Sequence, residues 1–302
     1  GVRLVGSEMC IRDRFLIPVY QRFYSWDIDQ CKRLWNDIVE MQRKGKVGHF
    51  VGSIVNIAEQ AMPTGVQKYM IIDGQQRMTT LTLLLLALRD YAIKNPNDTT
   101  INARRIDNML LKNEYESGDE RYKLLLTETD RDVLISLVEE KPIAEGTRSR
   151  LIENYNFFAG KLADKVIQPA EVYESIGKLQ IVNITLDRAV DDAQAIFESL
   201  NSTGKELSES DLIRNYVLMG LEPSEQTYVY EHLWRPMEQL FIYEMQGSVM
   251  DAFFRHYLTM KLSRIPKQGR VYEEFKLYHL NCEFGTIREL SLIHISEPTR
   301  RT

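Results

Sequence analysis

The sequence predicts an α+β fold, a mixed α/β unit followed by a mostly helical region. Three observations predict it. Two β-type runs, HFVGSIVNIAE at 49–59 and QKYMIID at 67–73, lie early in the chain. Apolar residues recur at helical spacing through most of the chain after residue 100. A single later β-run, KLQIVNITLD at 178–187, interrupts the helices. Strands gathered early and helices late are the pattern of α+β proteins.

At the start of the α/β unit, FLIPVYQRFYSW at 15–26 is an extended, aromatic segment. Ile28, Cys31, Leu34, Trp35, Ile38 and Val39 then predict an amphipathic helix over 28–43, which GKVG breaks. PTG at 63–65 is a turn between the two early strands. From Thr79 to about Ile93 the spacing predicts a helix, with NPND ending it. Its LTLLLLAL core is too short to span a membrane, which takes about 20 apolar residues, and reads as a buried helix. Four further helices are expected within 101–113, 149–164, 226–241 and 249–264, and a helix-loop-helix over 191–221. These place the α/β unit at 15–95 and the helical region at 96–289.

The ends do not fit this pattern. LVGSEMCIRD near the start and LSLIHISEPTR near the finish can be encoded by opposite strands of one DNA segment. That segment resembles the mosaic end of a transposase-based sequencing adapter. Residues 1–14 and 290–302 are therefore expected to be translated adapter and to stand outside the fold. The first stretch is not a secretory signal, because charges at Arg3, Glu8, Arg12, Asp13 and Arg14 prevent any apolar run.

The chain carries a net charge of -5. Both ends are net positive, so the region between them is more acidic still. An acidic chain has no global electrostatic footprint for DNA, and any nucleic-acid contact must come from a local patch. Outside the ends only Cys31 and Cys282 remain, too few and too far apart for a disulfide framework or a metal cluster. His49, His232, His256 and His279 are scattered without metal-ligand spacing. Neither H-E-x-x-H nor G-x-S-x-G occurs. A cytoplasmic protein with no membrane contact is expected.

The strongest local signal is YMIIDGQQRMTTLTLLLLAL at 69–88. A β-run ends at Asp73, Gly74 allows a tight turn, and a helix follows. A helix start carries unpaired N–H groups and partial positive charge, which suits an anion. Arg77 adds a planar cation matched to phosphate, and Thr79 and Thr80 add hydroxyls. Asp73 is placed to hold a metal or orient a water. Gln75 and Gln76 suit sugar or base edges. The stretch is not a Walker A loop, and a strand–glycine–helix corner is also a common structural device.

Two other stretches carry polar groups. IPVYQRFYSW sets Tyr20, Gln21 and Arg22 among apolar residues, either as part of an ordinary core segment or lining a pocket with Arg77. In FESLNSTGKELSESDLIRN, Asn201 and Ser202 end a helix, Gly204 turns the chain, and Ser208 caps the next helix loosely as a capping box with Asp211. By spacing alone this is a structural joint in which Asp211 and Arg214 pair.

IPVYQRFYSW, GHFVGSIV, YMIIDGQQRMTTL and IFESLNSTGKELSESDLIRN occur in that order, and together they resemble the N-terminal, GmrS-like domain of GmrSD-type modification-dependent (type IV) restriction proteins. The resemblance covers roughly residues 15–220 well. It implies a ParB/sulfiredoxin-like mixed α/β N-terminal unit followed by helices, with a DGQQR-type box for nucleotide binding and hydrolysis. Asp73, Gln76 and Arg77 would be catalytic, with Asp73 also the metal ligand. Tyr20, Gln21, Arg22, Gly74, Gln75, Thr79, Thr80, Asn201, Gly204 and Lys205 would bind the nucleotide. The implied cofactors are an NTP with a divalent cation, Mg2+. The implied partners are modified phage DNA, through the full-length protein, and an HNH-type nuclease domain in cis or as a separate subunit, expected beyond residue 289.

The sequence thus points to an NTP-binding, NTP-hydrolysing regulatory module of a bacterial anti-phage restriction system. The alternative is a DNA-binding sensor without NTPase activity, in which Arg22 and Arg77 hold the backbone. A helical interaction scaffold whose polar corners are only structural is the remaining option.

Overall fold

The structure is a computed structural model that describes residues 2–3, 13–59, 66–187, 190–201, 207–240 and 246–281. Its contacts divide the chain into two units: Gly1–Pro18 with Phe23–Asp191, and Val19–Arg22 with Asp192–Thr302.

The first unit is a mixed sheet with helices packed on it. The strands are β1 (Val2–Arg3), β2 (Arg14–Leu16), β3 (His49–Ala58), β4 (Lys68–Asp73), β5 (Leu124–Leu125) and β6 (Leu179–Leu186). They lie in the order β1-β6-β3-β4-β2-β5. β3 pairs antiparallel with β4 and parallel with β6, while β2 runs parallel to both β4 and β5. The helices are α1 (Ile28–Arg43), α2 (Gln75–Lys94), α3 (Ala103–Ile106), α4 (Glu128–Val138), α5 (Arg150–Ala163) and α6 (Pro169–Ile176).

α1 starts where Asp27 and Gln30 form a capping box, and it buries Cys31, Leu34, Trp35, Ile38, Val39 and Met41 along one stripe. α2 is different. It is buried on almost every side from Gln75 to Arg89, as its run of leucines demands. α5 packs along it, and one core joins α1, α2, α4, α5 and α6 to Phe15, Ile54, Ile71, Leu179 and Ile181 of the sheet.

The first unit runs past the boundary expected at residue 95, because α5 packs on α2 and β6 completes the sheet beside β3. The expected start at Phe15 falls one residue inside β2, whose Arg14 pairs with Lys68. Val2–Arg3, within the stretch expected to be adapter, runs along β6. Of the extended segment 15–26, only the first two residues join the sheet.

The second unit holds α7 (Ala193–Asn201), α8 (Glu209–Met219), α9 (Pro223–Val229), α10 (Arg235–Leu240), α11 (Gln246–Leu262) and α12 (Val271–Asn281). α8 packs against α7, α9, α11 and α12. Trp234 stacks on Phe254, which meets Phe275 edge-on. The helix expected over 226–241 opens into a π-helical turn at Tyr230–Trp234. Pro236 follows after Arg235, and it has no N–H to give to the preceding turn. Among the described residues no helix is long and apolar enough to cross a membrane.

Candidate phosphate corner

The DGQQR stretch folds as the turn from β4 into α2. Gly74 is the N-cap residue and adopts a left-handed conformation, φ 95°. A Cβ there would lie 2.8 Å from the carbonyl oxygen of Ser53, so glycine is required both by the turn and by the close passage of β3. Gly74, as N-cap, has no side chain with which to cap the first turn of α2, and the first N–H groups of any helix lack a partner within the helix itself. The helix begins at Gln75, four residues before the start expected at Thr79, because Gly74 completes the turn at once.

Arg77 sits at this corner. Its Nη2 donates to the Ser53 carbonyl at 2.7 Å and to Asp73 Oδ2 at 3.0 Å. Its Nη1 lies 3.0 Å from where a Cβ on Gly52 would project. Gly52 has φ 129° and sits at a register irregularity between β3 and β6, so the missing side chain makes room for the guanidinium. The Nε of Arg77 is buried and has no hydrogen-bond partner among the described residues. The side chains of Arg77 and Asp73 keep 23% and 29% of their exposure, so both remain open to solvent.

The preceding residue has a different task. Gln76 Oε1 accepts from the N–H groups of Ser25, at 2.8 Å, and Trp26, at 3.2 Å, while Nε2 donates to the Phe23 carbonyl. This amide fastens the 23–26 segment to α2. Thr80 donates to the Gln76 carbonyl and shares a 2.7 Å hydrogen bond with the Tyr24 hydroxyl, which also accepts from Asn154 Nδ2 at 2.9 Å. Burial raises the Tyr24 pKa. Asp130 accepts from the Tyr24 N–H, and burial pushes its carboxyl up. Thr79 and Thr80 are 2% and 0% exposed, so their hydroxyls lie in the interior rather than at the corner.

Asp73, Gly74, Gln75, Gln76 and Arg77 therefore come together in the first unit. Tyr20, Gln21 and Arg22 belong to the second. Tyr20 and Gln21 are buried, and the Tyr20 carbonyl accepts from Arg214 Nε at 2.8 Å. Arg214 also binds Asp211 and Glu238, to which Trp234 donates. The expected Asp211–Arg214 pair and the Ser208 cap are both present. Asn201 ends α7, and Gly204 and Lys205 lie outside the described residues.

Residues 7–218 match the family described as GmrSD restriction endonuclease, N-terminal domain. The chain belongs to this family. The match begins within the stretch expected to be adapter and ends at Leu218 in the last turn of α8, so it takes in the whole sheet after β1 and all four stretches of the resemblance. As a GmrSD N-terminal domain, the chain is a component of a restriction system. No curated protein matches the chain.

Sequence reasoning missed two parts of the corner and its surroundings. Gly52 and the Ser53 carbonyl complete the Arg77 seat; a glycine inside a β-run was the available signal, since it marks a bulge or a close approach. Arg214 was read only as half of a local pair. Its grip on the Tyr20 backbone joins the first stretch of the resemblance to the last across 194 residues, and no local pattern encodes that.

Proposed function

We propose that this GmrSD domain binds and hydrolyses a nucleoside triphosphate at the Gly74–Arg77 corner, and that the nucleotide state regulates a nuclease partner. One observation carries the reading. A helix start whose N-cap, Gly74, has no side chain stands beside a partly exposed arginine whose buried Nε has no partner among the described residues. Buried polar groups seldom lack partners in native proteins, so this guanidinium is incompletely bonded, and phosphate oxygens suit both its solvent-open edge and helix N–H groups.

In this reading the α2 N–H groups and Arg77 receive the phosphates. Asp73 supplies the carboxylate at the corner. Among the described residues no group of three or more His, Cys, Asp or Glu could hold a metal alone. Mg2+ needs no such group, since it keeps several waters and takes one or two carboxylates together with substrate phosphates. Bound there, the ion would offset phosphate charge. Gln76 positions the 23–26 segment, and Gln75, 8% exposed, lies beside it in the first turn of α2. Catalysis would come from positioning and electrostatic stabilisation of the phosphoryl group.

The test is titration calorimetry of the full chain with ATP and GTP, each with Mg2+, alongside phosphate release. The wild type should bind and release phosphate. Arg77→Ala should do neither, and Asp73→Asn should lose the Mg2+ dependence of binding. Equal binding by wild type and Arg77→Ala sinks the site. Salt-sensitive binding of duplex DNA without any nucleotide binding would replace the proposal with the DNA-sensor reading.

A further inference from the structure

The second unit contains a groove of about 760 Å³ between α7, α8 and α12. Leu207, Leu212, Leu277 and Leu280 give it an apolar lining. Leu277 and Leu280 are 53% and 71% exposed. They lie at helical spacing from Glu273 on one face of α12, while Val271, Tyr272 and Phe275 form the buried face. Two leucines left this open on one helix face beside a groove offer apolar anchoring area to a partner.

The charges around the groove narrow the choice of partner. Three carboxylates line it, Glu198, Glu209 and Glu273, against one cation, Lys276. Lys276 is already engaged by both oxygens of Glu198, at 2.9 Å each. Glu273 pairs with Arg270 in an exposed contact. Glu209 has no such cation among the described residues. Its Oε2 accepts from the Tyr272 N–H at 2.6 Å. Burial, with the like charges of Asp251 and Glu273, raises its pKa. An anionic ligand would add to that repulsion, and an uncharged one would leave it in place.

We infer that this groove docks a cationic amphipathic helix of a partner protein, with apolar anchors on the leucines and a lysine or arginine opposite Glu209. Helix-in-groove recognition reads anchors at i, i+3, i+4 and i+7, the spacing that matches the Leu277–Leu280 face. The cation gains from the site because the carboxylate it meets is already partly desolvated.

The experiment is fluorescence anisotropy of the full chain with a labelled leucine–lysine peptide whose leucines fall at that spacing. Two controls replace its lysines with glutamate or its leucines with serine. Saturable binding of the leucine–lysine peptide alone is expected. It should weaken by roughly tenfold, about 1.4 kcal/mol, in the Leu277→Ser, Leu280→Ser double variant. It should weaken several-fold in Glu209→Gln, which keeps the acceptor for Tyr272. The leucines are exposed, so the double variant should retain its fold, as circular dichroism will check; if Glu209→Gln does not fold, the leucine variant decides. Absence of binding, equal binding of the lysine–serine peptide, or binding unchanged by the leucine substitutions would overturn the inference.

Discussion

Arg77 and Arg89 lie about three turns apart on α2, and the helix treats them differently. Arg89 is fully buried. It binds Asp90 and Asp107 and donates to the carbonyls of Leu137 and Val138, so it joins the end of α2 to the end of α4. Its neighbouring carboxylates outweigh burial and raise its pKa. Arg77 has one acid, one carbonyl, a buried Nε without a partner among the described residues, and a side chain still open to solvent. A saturated, buried guanidinium holds structure. A part-exposed one beside a helix start, with an Nε that lacks a partner among the described residues, is the kind the proposed nucleotide site calls for.

Substitutions can break this comparison. The largest effect is expected from Arg89→Ala. Removing one partner of a buried charge cluster costs about 3–5 kcal/mol, so calorimetry should show a large loss of stability. Gly74→Ala comes next. The left-handed backbone alone costs a non-glycine residue about 1–3 kcal/mol, and the clash with the Ser53 carbonyl adds to it. Gln76→Ala ranks third, at about 1–3 kcal/mol, because it leaves Ser25 and Trp26 N–H groups without their acceptor. Amide hydrogen exchange should then speed up at those two residues, ahead of global unfolding.

The smallest effect on stability is expected from Arg77→Ala, about 1 kcal/mol, since a part-exposed ion pair contributes little. If Arg77→Ala destabilises as much as Arg89→Ala, the contrast collapses and Arg77 becomes another structural pin.

How legible each feature was depends on its range along the chain. α1, β3, β4 and β6 were readable because periodicity and turn residues are local. So was the corner itself, since a β-run, one glycine and a helix lie within a few residues. The partners of the corner were not readable. The Ser53 carbonyl reaches Arg77 through a strand irregularity, and Asn154 reaches Tyr24 from 130 residues away. The same holds for burial. Thr79 and Thr80 have the composition of a phosphate site, but α2 is packed on nearly all sides, and only the folded core turns them inward. Gln76 was expected to act on substrate because its amide suits sugar or base edges and the family resemblance implies a catalytic role; in the fold that amide meets three backbone groups of the 23–26 segment.

Ligand-linked unfolding tests the central claim most directly. A ligand at about a hundred times its dissociation constant stabilises the folded state by about 2.7 kcal/mol. Calorimetric unfolding of the full chain should therefore move to higher temperature with saturating NTP and Mg2+. Arg77→Ala should unfold close to the wild type without ligand and show no rise with it. An equal rise in both proteins, or none in the wild type, would contradict the assignment of the Gly74–Arg77 corner as a nucleotide site.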